Sequence, residues 1–312
     1  MTAIKKYLFL PLFLVNLFAL SACSDVRITE HTEWKTVFDK YGIKEAAFEY
    51  YDNNKEIANF YNAEMDSSRM SPASTFKIFN ALVALETNAA LDERMIIKFD
   101  GVKKFYRKGL LVKAGEDTTG AFNLPAWNQD LTMAEAFKVS SVPYFQELAR
   151  RIGTKTMQHY LDTAHYGNMT IGTSADNFWL DGTLKISPDE QVGLMKRLYH
   201  DELPFSARSQ RIVKGMMLQE NEKDYKLYYK TGHGISEKTG EDILWVVGFA
   251  EVIHELNRPV KDNIDEKKME SIPHPYFFAL CFKMPENTAG LNEMRINVLH
   301  DLLTMAGIYK YK

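Results

Sequence analysis

Apolar residues change their period several times along this chain. Residues 7–20 form a nearly continuous apolar stretch behind Lys5 and Lys6. At about 14 residues it falls short of the roughly 20 that a stable membrane-spanning helix needs. With small residues after it, the layout is that of a signal peptide. A helical pattern over residues 34–41 is followed by two strand-like runs, Ala46-Ala47-Phe48-Glu49-Tyr50-Tyr51 and Ile57-Ala58-Asn59-Phe60-Tyr61, on either side of Asp52-Asn53-Asn54-Lys55. Such runs around a polar turn predict a β-hairpin. Residues 74–85 then place Phe76, Phe79 and Val83 at helical spacing just after Pro72, which predicts a buried helix.

Helical patterns with few strand signals occupy residues 95–215, clearest at 131–138 and 144–152. Strand patterns return at 226–230, 243–250 and 276–284. In the last stretch Leu291, Met294, Val298, Leu302 and Met305 share one helical face before Gly307, which predicts a closing helix over 291–305. Strands at both ends around a helical middle predict an α+β fold: an antiparallel sheet built from both termini with packed helices, an inserted mostly helical lobe, and a cleft at the seam. The charged stretch 261–270 reads as a solvated loop, and the chain has no internal repeat or low-complexity tract.

The segment Leu20-Ser21-Ala22-Cys23 resembles the lipobox of bacterial lipoproteins. That divides the chain into a signal peptide over 1–22, a lipid-anchored tether over 23–33 beginning at an acylated Cys23, and a catalytic domain over 34–312. An ordinary cleavage site with an incidental cysteine is the alternative. Ser24 resembles the pattern that permits onward transfer to an outer membrane, and the expected location is exported and periplasmic. The formal net charge is -3, so no basic field is available to hold nucleic acid. With Cys23 acylated, Cys281 is the only free thiol and no internal disulfide can form. Its apolar neighbours Leu280 and Phe282 make it a small buried strand residue.

The chemistry centres on Ser74-Thr75-Phe76-Lys77. A spacing of three on a helix puts hydroxyl and amine on one face, one turn apart. A serine hydroxyl needs a neighbouring base to take its proton, and backbone N–H groups at a helix start favour developing negative charge. Alone, this spacing is common. Further along, Ser140-Ser141-Val142 follows a helix and precedes Pro143, and Lys230-Thr231-Gly232 ends one strand ahead of the next. This order of motifs resembles that of penicillin-recognising serine acyltransferases. Ser140-Ser141-Val142 resembles the S-x-V of class D β-lactamases in particular. Pro72 to Lys77, Tyr166-Gly167-Asn168 and Phe178-Trp179-Leu180-Asp181-Gly182 resemble that family's other signatures. The resemblance runs from about residue 40 to the C-terminus.

A second Lys-Thr-Gly stands at Lys238-Thr239-Gly240. Lys230 is the choice, because a strand-like segment leads into it, whereas Lys238 falls in the connecting turn. The resemblance implies that Lys77 is carboxylated by CO2 (N6-carboxylysine) and that this carbamate is the general base; no E-x-x-L-N-like segment supplies a class A glutamate. Bicarbonate would thus be needed, with no other cofactor. Carbamylation requires the neutral amine, and a lysine at its usual pKa of about 10.4 is neutral only about once in 2,500 at pH 7. Burial can shift a lysine by about three to five units, and Phe76, Val142, Trp179 and Leu180 are the apolar pocket the motifs bring together. The Trp179 indole would donate to the carbamate.

By the same resemblance, Ser140 relays a proton to the leaving lactam nitrogen with Lys230 nearby. The backbone N–H groups of Ser74 and His233 form an oxyanion hole, and Gly232, Thr231 and Arg295 belong to the substrate site, the last two holding a carboxylate. His233 departs from the aromatic residue often found after K-T-G. Tyr166-Gly167-Asn168 reads equally as structural support, with Gly167 supplying a positive φ, or as direct function. The eight histidines contain no H-E-x-x-H, since His254-Glu255 lacks the second histidine, so no metal site is expected. The implied activity is hydrolysis of penicillin-type β-lactam antibiotics, conferring resistance. A penicillin-binding sensor that stays acylated and a cell-wall transpeptidase or carboxypeptidase are the competing readings.

Overall fold

The computed structural model describes residues 27–309 other than 108, 109, 120, 237, 261 and 262. The expected signal peptide and Cys23 lie outside the described residues. One sheet contains β1 (Arg27–Glu30), β2 (Glu45–Asp52), β3 (Ile57–Tyr61), β4 (Leu218–Asn221), β5 (Tyr225–Ile235), β6 (Asp242–Val260) and β7 (Asn263–Met284), in the order β1-β3-β2-β7-β6-β5-β4. β1 and β3 run parallel and the other neighbours antiparallel. Because Phe48 of β2 stands opposite Leu280 of β7, strands from the two ends of the chain meet in the middle of the sheet.

The helices are α1 (Lys35–Lys40), α2 (Ala63–Asp66), α3 (Lys77–Glu86), α4 (Met133–Lys138), α5 (Val142–Ile152), α6 (Thr154–Ala164), α7 (Pro188–Tyr199), α8 (Ala207–Met217) and α9 (Leu291–Met305). Successive strand residues point to opposite faces, and both faces of this sheet are covered. On one, Phe48, Leu244, Val246 and Leu280 pack with Phe38 of α1 and Val298 and Leu302 of α9. On the other, Ala47, Trp245, Val247, Ala279 and Cys281 join a larger core with α3 and the inserted lobe. Double coverage is why residues 276–282 read as an apolar run without clean alternation. The lobe, α4 to α8, lies between β3 and β4 in the chain, as the α+β pattern predicts.

Four local expectations are corrected. Arg27–Glu30, placed in the tether, is an exposed edge strand in register with Ile57–Tyr61. Residues 263–270, read as a solvated loop from their charge, continue β7 and pair with β6 through Lys267 opposite Pro259 and, after a register shift, Asn263 opposite Val260. The third strand on each side ends earlier, at Tyr225 opposite Val252 and Asp52 opposite Tyr276, so among the described residues this two-stranded ribbon has no further sheet neighbour to impose a binary pattern. Residues 95–132, read with the helical lobe, hold short strand pairs and one 3-10 turn, Pro125–Trp127, rather than a helix. Ser74 itself sits on a 3-10 turn, Ala73–Phe76, with the α-helix proper starting at Lys77.

Candidate active site

Three pieces of backbone converge on the Ser74 turn. The turn enters through Ala73, whose φ of 47° lies in the left-handed region, and Ala73 N donates to Trp179 O at 3.1 Å. β5 passes directly beside it. A Cβ on Gly232 would stand 3.0 Å from Pro72 O and 3.1 Å from Trp245 Cβ, so glycine lets this strand lie close without pushing the turn away. Trp245 Nε1 in turn donates to Ser71 O at 3.0 Å. The third piece is the Ser140 turn at the start of α5, where Ser141 caps the helix through Tyr144 N and Pro143 occupies its first turn.

Lys77 Nζ donates to Ser74 Oγ at 2.7 Å. The lysine is fully buried, with the Phe145 ring 5.6 Å from its amine. Burial lowers its pKa to about 7, so at neutral pH about half of these amines carry no proton. Lys230, 4% exposed, donates to Ser140 Oγ at 3.1 Å and to Thr231 O at 3.0 Å. Burial first, then the charges of Lys77 and Arg295, holds it well below the usual lysine range. Two low-pKa amines thus face two hydroxyls across one cleft.

Ser140 has φ 54°, and with Ala73 it gives the site two non-glycine residues in left-handed backbone. Such strain costs about 1–3 kcal/mol per residue and persists only where the surroundings enforce it. Around Ser140 the enforcing bonds are Ser140 N to Phe137 O, Ser141 N to Ala136 O and Trp127 Nε1 to Val139 O.

The four pocket residues fall into two adjoining clusters. Phe76 stacks on Trp179 with centroids 5.2 Å apart, inside the large core. Val142 belongs to a smaller cluster with Tyr106 and Trp127, and Leu180 packs against both clusters. Trp179 is fully buried and its Nε1 has no hydrogen-bond partner. A buried orphan donor costs about 1–3 kcal/mol, so Trp179 holds an N–H toward the pocket that no acceptor among the described residues satisfies.

Arg295, which its amphipathic helix could equally have placed in solvent, is 8% exposed. Its Nη1 donates to Gly232 O at 2.9 Å, its Nε is unpartnered, and burial lowers its pKa to about 10, leaving it charged at neutral pH. Thr231 is half-buried on β5 beside Lys230. The His233 imidazole is exposed and lies 2.8 Å from the buried Asp242 carboxylate, leaving the His233 backbone on the strand beside Ser74. Lys238-Thr239-Gly240 lies in the turn from β5 to β6, where Gly240 N donates to Ser236 O. Of the two Lys-Thr-Gly lysines, Lys230 is therefore the one that the fold brings to Ser140.

Tyr166-Gly167-Asn168 braces the loop after Trp179. Asn168 Nδ2 donates to Thr183 O and Asn168 Oδ1 accepts from Lys185 N, both at 2.9 Å. Cys281 is buried on β7 with its thiol pKa raised by burial. Among the described residues no group of three His, Cys, Asp or Glu is placed to hold a metal ion. Sequence patterns missed Phe145 beneath the Lys77 amine, Trp127 behind Ser140, and Asp242 beside His233. Phe145 meets a residue distant in the chain, while Trp127 and Asp242 act across a loop and a strand pair that no motif marks.

The family described as the penicillin binding protein transpeptidase domain matches residues 45–272. The chain is 35% identical to β-lactamase OXA-5 of Pseudomonas aeruginosa over 77% of its own length and 83% of that protein's. A class D β-lactamase from Nostoc superposes with a TM-score of 0.69 at 33% identity, covering 87% of this chain and 99% of that one. A class D β-lactamase from Sebaldella termitidis gives a TM-score of 0.74 at 28% identity, covering 91% and 99%.

Proposed function

Since the chain belongs to the class D β-lactamases, serine hydrolases of the penicillin-binding transpeptidase fold, we propose that it hydrolyses penicillin-type antibiotics through a Ser74 acyl-enzyme, with carbamylated Lys77 as general base. The observation that carries this reading is the wholly buried Lys77 amine bonded to Ser74 Oγ at 2.7 Å.

CO2 captured on the neutral Lys77 amine would supply an anionic base at that point, with the unpartnered Trp179 N–H as its donor and Phe76, Val142 and Leu180 as its apolar walls. Ser74 Oγ attacks the lactam carbonyl carbon as its proton leaves toward residue 77. The backbone N–H groups of Ser74 and His233 take the developing oxyanion. The lactam C–N bond breaks, and its nitrogen gains a proton from Ser140 Oγ, which Lys230 replaces. Thr231, Gly232 and Arg295 hold the substrate carboxylate. A water, deprotonated at residue 77, then adds to the ester, freeing Ser74 and the ring-opened acid. Loss of the ring inactivates the antibiotic, hence resistance.

The test is nitrocefin turnover together with intact-mass spectra after mixing with a penicillin. Expected are rapid turnover that rises with bicarbonate, a transient adduct, and loss of both in Ser74→Ala. A permanent adduct with no turnover would make the chain a sensor and overturn the reading. Export by residues 1–22 and acylation at Cys23 complete the proposal. Labelled palmitate incorporated by the wild type but not by Cys23→Ser is the expected result, and equal labelling of both would remove the anchor.

A further inference from the structure

We propose that Gln146 is a positioning residue that ties the two walls of the Lys77 pocket together and keeps water from its amine. The inference rests on the carbamate reading above. Gln146 follows Phe145, whose ring lies against the Lys77 amine. It stands one helical turn beyond Val142 on α5. It is a polar side chain only 3% exposed, on a helix face otherwise committed to the core. Asn80 Nδ2 of α3 donates to Phe145 O at 3.0 Å, which fixes α5 against the helix that carries Lys77.

The amide is fully used. Its Oε1 accepts from Tyr106 Oη at 3.0 Å. Tyr106 packs edge-on to Trp127 in the cluster with Val142 that Leu180 also touches. On the other side, Nε2 donates to Asp176 O at 3.1 Å and Asn177 Oδ1 at 3.2 Å. Asn177 O accepts from Leu180 N at 2.7 Å and Asp181 N at 3.0 Å, so the turn presenting Trp179 and Leu180 is built on Asn177. One side chain therefore joins the wall holding Val142 and Trp127 to the wall holding Trp179 and Leu180. Without the amide, Tyr106 Oη and Asp176 O each lose this partner, and buried polar groups without partners recruit water. Water beside Lys77 favours the ammonium, and a protonated amine does not capture CO2.

The experiment compares nitrocefin turnover against bicarbonate concentration for the wild type, Gln146→Leu and Tyr106→Phe. The Leu variant is expected to need about threefold to tenfold more bicarbonate for half-maximal rate at pH 7, where a rise of one unit in the lysine pKa from about 7 gives about fivefold. The plateau rate at saturating bicarbonate should return near wild type, and KM for nitrocefin should stay unchanged. Tyr106→Phe, which removes one hydroxyl and keeps the ring, is expected to move the half-point in the same direction by less, and to add little in the double variant, because the two groups share one bond. A bicarbonate half-point identical to wild type in both variants, with or without a lower plateau, overturns the inference and leaves Gln146 purely structural. A wild type with no bicarbonate dependence defeats the carbamate reading itself, and the inference with it.

Discussion

Lys230 Nζ stands 3.1 Å from Ser140 Oγ, and Ser140 reaches that position only by adopting a φ of 54°. A side chain is held in strained backbone where a hydroxyl is wanted beside a low-pKa amine. Glycine adopts this φ without cost. Ser140→Gly is therefore expected to exceed the stability of Ser140→Ala by about 1 kcal/mol, while both lose roughly 100-fold in kcat/KM. Thermal melting and steady-state kinetics on the two variants check this. Equal melting temperatures would show that the backbone is not under strain.

Lys77 sets the acid limb of the rate profile. Its pKa of about 7 comes from burial, and in the proposed carbamate mechanism only its neutral form would take up CO2. Without added bicarbonate, kcat is expected to fall about tenfold per pH unit below pH 7, and added bicarbonate should restore part of the loss. A limb near pH 10, the range of an exposed lysine, would contradict the buried amine.

Away from the cleft, Glu49 of β2 and Asp66 of α2 are both buried. Burial is the first cause raising both carboxyls above the usual range, and the negative charge of Asp189 on α7 raises both further. A raised folded pKa means that the native state holds protons that the unfolded chain releases above about pH 4. Stability from this pair is fully present below that pH and is lost as pH rises through the raised folded values. Between pH 6 and pH 9 the wild type should lose roughly 1–3 kcal/mol relative to Glu49→Gln, read as the difference between their urea midpoints. Parallel curves would show that burial does not hold a proton on Glu49.

Gly167 decides what the Tyr166-Gly167-Asn168 turn is for. Its φ is 52°, and a Cβ there would fall 2.0 Å from the Lys185 carbonyl oxygen. Gly167→Ala is expected to destabilise by about 2–4 kcal/mol, combining left-handed strain with overpacking, as read by denaturant titration. A variant of wild-type stability that has lost turnover would instead give the turn a direct part in the reaction.

The hairpin of β2 and β3, the helix α9 and the order of the lobe were legible because each depends on local periodicity against a core. The ribbon over 263–270 was not, because its charged sequence lacks the alternation that marks a strand and its pairing with β6 is backbone register alone. Ser74, Lys77, Ser140 and Lys230 were legible from motif spacing, and choosing Lys230 over Lys238 needed only the strand before it. Gln146, Trp127 and Phe145 were hidden. A glutamine in an apolar stripe says that some partner exists, yet Tyr106 and Asn177 lie far off in sequence, and only the fold brings them together.

The pairing of β2 with β7 also governs how the molecule is made. On the ribosome, a chain synthesised as far as α8 already contains Ser74, Lys77 and Ser140, but β7, which pairs with β2, and β5, which carries Lys230, have yet to emerge. Closing so long a loop is slow relative to local helix formation. The nascent polypeptide is therefore expected to stay loosely structured and inert until its last segments are translated, and to gain its chemistry in one late cooperative event.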